Sequence, residues 1–324
     1  MSIKEVLQNL KVGEPVCFHE IAMFPLLSEE EDIVDYLTLD EALAANQISI
    51  KEVSEGGSVP ELKVVNSATK PVLMLDGEEL LGAKQNRVPN LTILIPPEQT
   101  IVIPVSCVES GRWNSVSSEF AAACRYQYVS GRAKRMNQVS YSLNLHEERC
   151  SDQGAVWMDL EEKVLRMNVD SDTNAMSDMF VKYDNDIEEF VKNLSSIPGQ
   201  TGAVFCIRGQ AAGLELFDQA ATFKRQLPKM VRSYAIDQLD KALYTEEKEL
   251  DSACANMLLA QAASCTEKRY PATGLGVDIR LKGEGVSGAG LEALGRLIQL
   301  SVFPAQPETD SSEPIRHGRL HRRR

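Results

Sequence analysis

Two short stretches concentrate the side chains able to do chemistry. In residues 101–115 an apolar run (Ile101, Val102, Ile103, Val105) ends in Cys107, Glu109, Gly111, Arg112 and Trp113. In "LDGEELLGAKQNRVPN" (75–90), Asp76, Glu78, Glu79, Lys84, Gln85, Asn86 and Arg87 crowd between two apolar strands, a denser polar mix than a hairpin tip needs. Alternate residues of an extended chain share a face, so Gln85 and Arg87 point one way and Lys84 and Asn86 the other. The planar donor forks of Arg87 and Arg112 suit a phosphate or carboxylate, Gln85 suits an amide or hydroxyl, and Trp113 can stack on a base. Glu78 and Glu109 could act as acid and base if burial holds them in different protonation states. The competing reading is purely structural: Arg87 paired with Glu78 or Glu109, or Arg112 with either acid, closing a sheet end under a buried indole. Gly111 is expected at positive φ, turning the chain so that Arg112 returns beside Glu109. Cys107 reads as a small buried hydrophobe.

Other chemistries lack support. Gly283, Gly285 and Gly288 fit G-x-G-x-x-G, but the acid that should follow, Glu308, falls in a polar tail, so a glycine-rich hairpin is expected instead. Histidine occurs four times (19, 146, 317, 321); "HEIAM" and "HEERC" each begin like a zincin helix but lack the second histidine four residues later, and no metal or cofactor is expected. There is no G-x-S-x-G elbow and no P-loop. Seven scattered cysteines without a Cys-x-x-Cys suggest reduced thiols. A net charge of −13 disfavours a broad nucleic-acid surface. No segment reaches the roughly 18–20 apolar residues of a membrane span, and the first residues lack the apolar stretch of a secretory signal. A soluble cytoplasmic protein is expected, with no membrane partner.

The elements that must position these residues change character along the 324-residue chain. Residues 1–145 read as strand-rich: "EPVCFHEIAMFPLL", "ISIKEVSE", "ELKVVNS", "PVLMLD", "LTILIP" and "TIVIPVS" are apolar or alternating, with Gly, Pro, Asn or Asp between them. One helix interrupts at 38–47, where Thr38 offers an N-cap. After a linker at 146–153, Met176, Phe180, Tyr183, Ile187, Phe190 and Leu194 recur at helical steps and predict a buried amphipathic stripe. A strand at 201–209, a helix opening at Pro228, another helix at 248–264, and two closing strands complete residues 146–304. The fold class expected is α+β, a sandwich- or barrel-like sheet half packed with a helical half, in a single domain spanning 1–304. Residues 305–324 read as a disordered polar tail.

The stretches "VLMLDGEELLGAKQNRVPN", "VIPVSCVESGRW", "QGAVWMDLEEKV" and "GLGVDIRLKGEGVSGAGLEALGRLIQLSVFP" together resemble the ARPP domain, the ADP-ribosylglycohydrolase and rhodanese-phosphatase associated protein domain of prokaryotic genomes. Its Gly-Glu, Gln-x-Arg and Cys-x-Glu-x-Gly-Arg-Trp pattern falls on Gly77 and Glu78, on Gln85 and Arg87, and on Cys107 to Trp113. The resemblance implies convergence of Glu78, Gln85, Arg87, Glu109 and Arg112, and a stress or conflict-system setting among ADP-ribose-processing genes. The function expected is a binding or regulatory domain for a small anionic ligand of nucleotide or ADP-ribose type, held by Glu78, Gln85, Arg87, Glu109, Arg112 and Trp113. The alternatives are a hydrolase or transferase using Glu78 and Glu109 on such compounds, and an adaptor that docks a protein partner through an exposed Met176–Leu194 stripe.

Overall fold

The computed structural model describes residues 2–28, 35–244 and 252–304, so the tail at 305–324 lies outside the described residues. The chain opens with helix α1 (Ile3–Gln8), strands β1 (Lys11–Val12), β2 (Val16–Phe18), β3 (Ile21–Leu27) and β4 (Leu37–Thr38), and helix α2 (Leu39–Ala44). Strands β5 (Ile48–Glu52), β6 (Glu61–Asn66), β7 (Val72–Met74), β8 (Glu78–Gly82), β9 (Arg87–Pro89), β10 (Ile93–Ile95), β11 (Gln99–Cys107) and β12 (Phe120–Tyr126) follow. Four helices come next: α3 (Val129–His146), α4 (Gln153–Arg166), α5 (Met176–Lys182) and α6 (Asp184–Asn193). The hairpin β13 (Gln200–Ile207) and β14 (Gln210–Phe217) leads to α7 (Ala220–Leu239) and α8 (Ala253–Ala263). The closing strands are β15 (Thr266–Pro271), β16 (Val277–Gly283), β17 (Val286–Ala293) and β18 (Arg296–Pro304).

The α+β class follows from how these strands pair. A nine-stranded antiparallel sheet runs β1-β3-β13-β14-β18-β17-β16-β15, with β2 also on β3. A six-stranded sheet runs β12-β8-β9-β11-β6-β5, and β10-β7-β4 form a third, in which β4 and β7 are parallel. The fold includes a sheet curled into a half-barrel. Both faces of the nine-stranded sheet are covered, which is why "IAMFPLL" reads as continuously apolar instead of alternating. Ile21 and Met23 of β3 join the cluster under α3 to α7, whereas Ala22, Phe24 and Leu26 join the one under α1 and α8. A third cluster packs α2 on β5, β6, β7, β10 and β11.

Local signals explain several boundaries. Thr38 and Glu41 form a reciprocal capping box at the start of α2. The expected stripe is buried at Met176, Met179, Phe180, Ile187, Phe190 and Leu194, but it is split over α5 and α6 at Tyr183, whose hydroxyl donates to the Met167 carbonyl at 2.9 Å. The exposed face that an adaptor would need is therefore core. Pro228 does not open its helix: α7 starts at Ala220, since Phe223 and Leu227 extend the buried line of Met230, Val231 and Tyr234. That burial outweighs the roughly 3 kcal/mol cost of an interior proline. Gly283 and Gly285 lie at the β16–β17 hairpin, as the hairpin reading expects. The all-reduced expectation fails at one pair: Cys206 of β13 and Cys254 of α8 are joined as a disulfide. Among the described residues no helix is long and apolar enough to cross a membrane.

Asp218, just past β14, accepts a 2.6 Å hydrogen bond from the Tyr36 hydroxyl, and burial pushes its pKa up to about 6. Because the folded value lies above the unfolded one, stability falls as pH rises through this window and the loss is complete above it. Asp218→Asn, which keeps the acceptor and removes the charge, should stabilise the protein by about 2 kcal/mol at pH 7.5. The gain should vanish near pH 4; urea titrations at the two pH values check this, and equal gains at both would contradict it.

Candidate functional site

Pairing of β9 with β11 sets Arg87 directly opposite Cys107, so their side chains share a face. The Arg87 Nη1 donates to Cys107 Sγ at 3.1 Å and to Gln85 Oε1 at 3.2 Å. Gln85, two residues earlier, lies on the same face as strand alternation requires, and its Oε1 also accepts from the Cys107 thiol at 2.8 Å. Cys107 is thus buried but not merely a small hydrophobe. Burial raises its pKa against the pull of Arg87, leaving a neutral thiol.

Helix α4 fixes this cysteine. Gln153, its first residue, accepts from the Cys107 amide at 2.7 Å and donates to the Cys107 carbonyl at 2.9 Å. One turn on, the buried indole N–H of Trp157 lies beside the thiol without an acceptor in hydrogen-bond geometry. Neither residue was singled out from the sequence, although their four-residue separation on one helix face is legible there.

At the end of the 101–115 stretch Glu109 and Arg112 form an ion pair at a turn, without a buried indole over them. Arg112 donates from Nε to Glu109 Oε1 at 2.8 Å and from Nη2 to Oε2 at 2.6 Å. Its remaining N–H groups reach the carbonyls of Ala83 and Asn114 and the Asn86 side chain. Glu109 accepts further bonds from the Thr173 hydroxyl at 2.9 Å and the Asn86 amide at 3.0 Å. Although burial alone would raise the Glu109 pKa, these donors, Arg112 first, bring it below the ordinary value. Gly111 has no positive φ. It is required by close approach instead: a Cβ there would sit 2.7 Å from Thr173 Cα, where the Gly111 amide bonds the Thr173 carbonyl at 2.8 Å.

Trp113 does not cover the Glu109–Arg112 pair. The residue is 47% exposed, and its ring lies over Lys84 Nζ at 5.4 Å and Arg87 Cζ at 5.7 Å. The indole therefore stands between solvent and Arg87.

Glu78 stands apart from this group. Its Oε1 pairs with Lys229 Nζ at 2.9 Å and its Oε2 accepts from the Leu75 amide at 2.9 Å, while burial raises its pKa. Glu78 and Glu109 differ in the direction of their pKa shifts, as an acid–base pair would require, but they share no hydrogen-bond partner. Gly77 ahead of Glu78, at φ 81°, leaves room for a neighbouring arginine: a Cβ there would come within 3.0 Å of Arg132.

Sequence reasoning missed a set of interior charges. Arg132 donates to Glu215 at 2.7 Å, Arg135 to Asp76 at 2.6 Å, and Lys163 to Asp237 and Asp240 at 2.8 and 2.9 Å. Arg280 pairs with Asp278 at 2.8 Å. Each of these cations is buried and each has its carboxylate. Among the described residues, Arg87 is the one buried cation without a carboxylate in ion-pair reach. It is 0% exposed, and its Nε and Nη2 have no acceptor. Glu52 and Glu109 act on it only from beyond ion-pair distance, and burial lowers its pKa.

Among the described residues no group of three or more His, Cys, Asp or Glu side chains could hold a metal ion. The family model described as the ARG and Rhodanese-Phosphatase-superfamily-associated Protein domain, ARPP-1, matches residues 9–303. No curated protein and no solved structure matches the chain.

Proposed function

The chain belongs to the ARPP-1 family, and from that premise we propose that it is a cytoplasmic binding or regulatory protein for a small anionic ligand of nucleotide or ADP-ribose type, received at Arg87. The observation that carries this reading is the uncompensated guanidinium. A buried cation without a counter-charge costs several kcal/mol, and every comparable cation among the described residues is paired. Two oxygens of one phosphate or carboxylate, one accepting from Arg87 Nε and one from Nη2, would supply the missing acceptors in the bidentate geometry that guanidinium favours. The Trp157 N–H offers a further donor next to the same group. Trp113, half exposed over Arg87, can move outward to admit the ligand and stack on a base. Arg112 plays a different part: its hydrogen bonds are already used, so it shapes the turn that carries Trp113. As its setting we propose a prokaryotic stress or conflict system handling ADP-ribose compounds.

Thermal unfolding with ADP-ribose, NAD, AMP and inorganic phosphate tests the reading. A ligand at about one hundred times its Kd should add about 2.7 kcal/mol to the unfolding free energy. Saturable stabilisation by at least one of the four is expected. Flat curves for all of them would remove the proposal.

A further inference from the structure

A separate cavity of about 130 Å³ lies between β12, α5, α6 and α7. This is slightly smaller than the ~150 Å³ engineered cavity that accepts benzene, so it suits an occupant of roughly six heavy atoms. One wall is Arg125. Its Nε is held by the fully buried Glu79 and its guanidinium lies over the Phe180 ring at 5.2 Å, while Nη1 and Nη2 make no hydrogen bond among the described residues. The part of the lining that α6 supplies is acidic. Glu188 is engaged by Arg232 Nη2, and Asp184, 65% exposed, lies a loose 4.0 Å from Arg232 Nη1. The Arg232 Nε is buried and has no acceptor. Phe180 and Ile187 give an apolar floor, and the exposed Cys124 thiol stands at the edge.

Charge selects the occupant. Arg125 and Arg232 face Glu79, Asp184 and Glu188, so the surroundings carry a formal excess of one negative charge. A simple anion would meet that excess, and a simple cation would leave the Arg125 fork unused. We propose that this cavity binds a small α-amino acid as its zwitterion, with the carboxylate on Arg125 Nη1 and Nη2 and the ammonium on Asp184 and Glu188. The two charged ends are read by side chains from different elements, β12 and α6, and Phe180 and Ile187 accept a short aliphatic side chain. This site is independent of the Arg87 reading and survives its failure.

The test uses the full chain and the Cys124 thiol as reporter, with alkylation by N-ethylmaleimide followed by peptide mapping. An amino acid from a panel including alanine, serine, valine and glutamate should slow alkylation at Cys124 roughly tenfold at about ten times its Kd. Propionate and ethylamine, which each present one end, should give no protection at the same concentration. Asp184→Asn, at an exposed position that leaves the fold intact, should weaken protection about tenfold. Cys124→Tyr, which fills the cavity from its edge, should abolish the thermal shift that the same amino acid produces in the unmodified protein. Equal protection by propionate or ethylamine, no protection by any amino acid of the panel, or an Asp184→Asn variant that binds as before would each overturn the proposal.

Discussion

Arg135→Met should destabilise the protein by about 3–5 kcal/mol, the largest single-residue loss expected outside the apolar core. The side chain is fully buried, and its guanidinium donates to Asp76 at 2.6 Å, to Gln127 at 2.8 Å and to the Pro89 carbonyl at 2.8 Å. Methionine fills comparable volume but leaves Asp76, itself 5% exposed, as a buried carboxylate without an ion-pair partner. It also takes the Nε donor from Gln127 Oε1, while the Pro89 carbonyl keeps only the Gly77 amide at 3.1 Å. Most of the cost is the stranded charge, so Asp76→Asn added to Arg135→Met should recover a substantial part of it, about 1–2 kcal/mol. Urea unfolding of the two single variants and the double variant measures this directly. A loss below about 1 kcal/mol for Arg135→Met, or a double variant no better than the single, would mean that the pair is not the stabilising contact its geometry suggests.

What the sequence made legible is local. Strand alternation placed Gln85 and Arg87 on one face, and the three-residue spacing of Glu109 and Arg112 allowed their ion pair. Both inferences use only the geometry of neighbouring residues. Helix α3 escaped although Val129, Ala133, Met136, Val139 and Leu143 step at helical intervals, because Gly131, Ser130, Ser140 and Ser142 dilute the pattern with turn-forming residues. Gly131 is there for packing, since a Cβ would lie 2.5 Å from the Tyr128 ring and 2.8 Å from Gln127. The interior charges were out of reach for another reason. Arg132 and Glu215 are 83 residues apart and Lys163 and Asp237 are 74 apart. Glu78 meets Lys229 across 151 residues, and that pairing removes it from the group in which its neighbours on the chain suggested it would lie. No local periodicity encodes which buried cation meets which acid. The disulfide between Cys206 and Cys254 is of the same kind: it depends on α8 folding back over β13.

Arg87→Met should do what no other removal of a buried arginine here does: raise the stability of the ligand-free protein, by about 1–3 kcal/mol, while abolishing its stabilisation by anions. The contrast with Arg135 is one of electrostatic environment. Both side chains are buried, but Arg135 neutralises an acid and Arg87 neutralises none. Removing Arg87 strands no carboxylate, and Gln85 Oε1 keeps its donor in the Cys107 thiol at 2.8 Å. The methionine replaces the guanidinium's bulk with an adaptable apolar chain beneath Trp113. What disappears is a charge whose desolvation only a bound anion would offset, the stability cost that a preformed binding site carries. A residue retained for packing or for holding Cys107 would behave oppositely, and its loss would lower stability whatever ligand is present. Parallel unfolding curves for the two proteins, with and without the stabilising ligand found among ADP-ribose, NAD, AMP and phosphate, separate the cases. If Arg87→Met is less stable than the parent in the absence of ligand, the guanidinium serves the fold. If it is more stable and no longer responds to the ligand, Arg87 is where the anion is received.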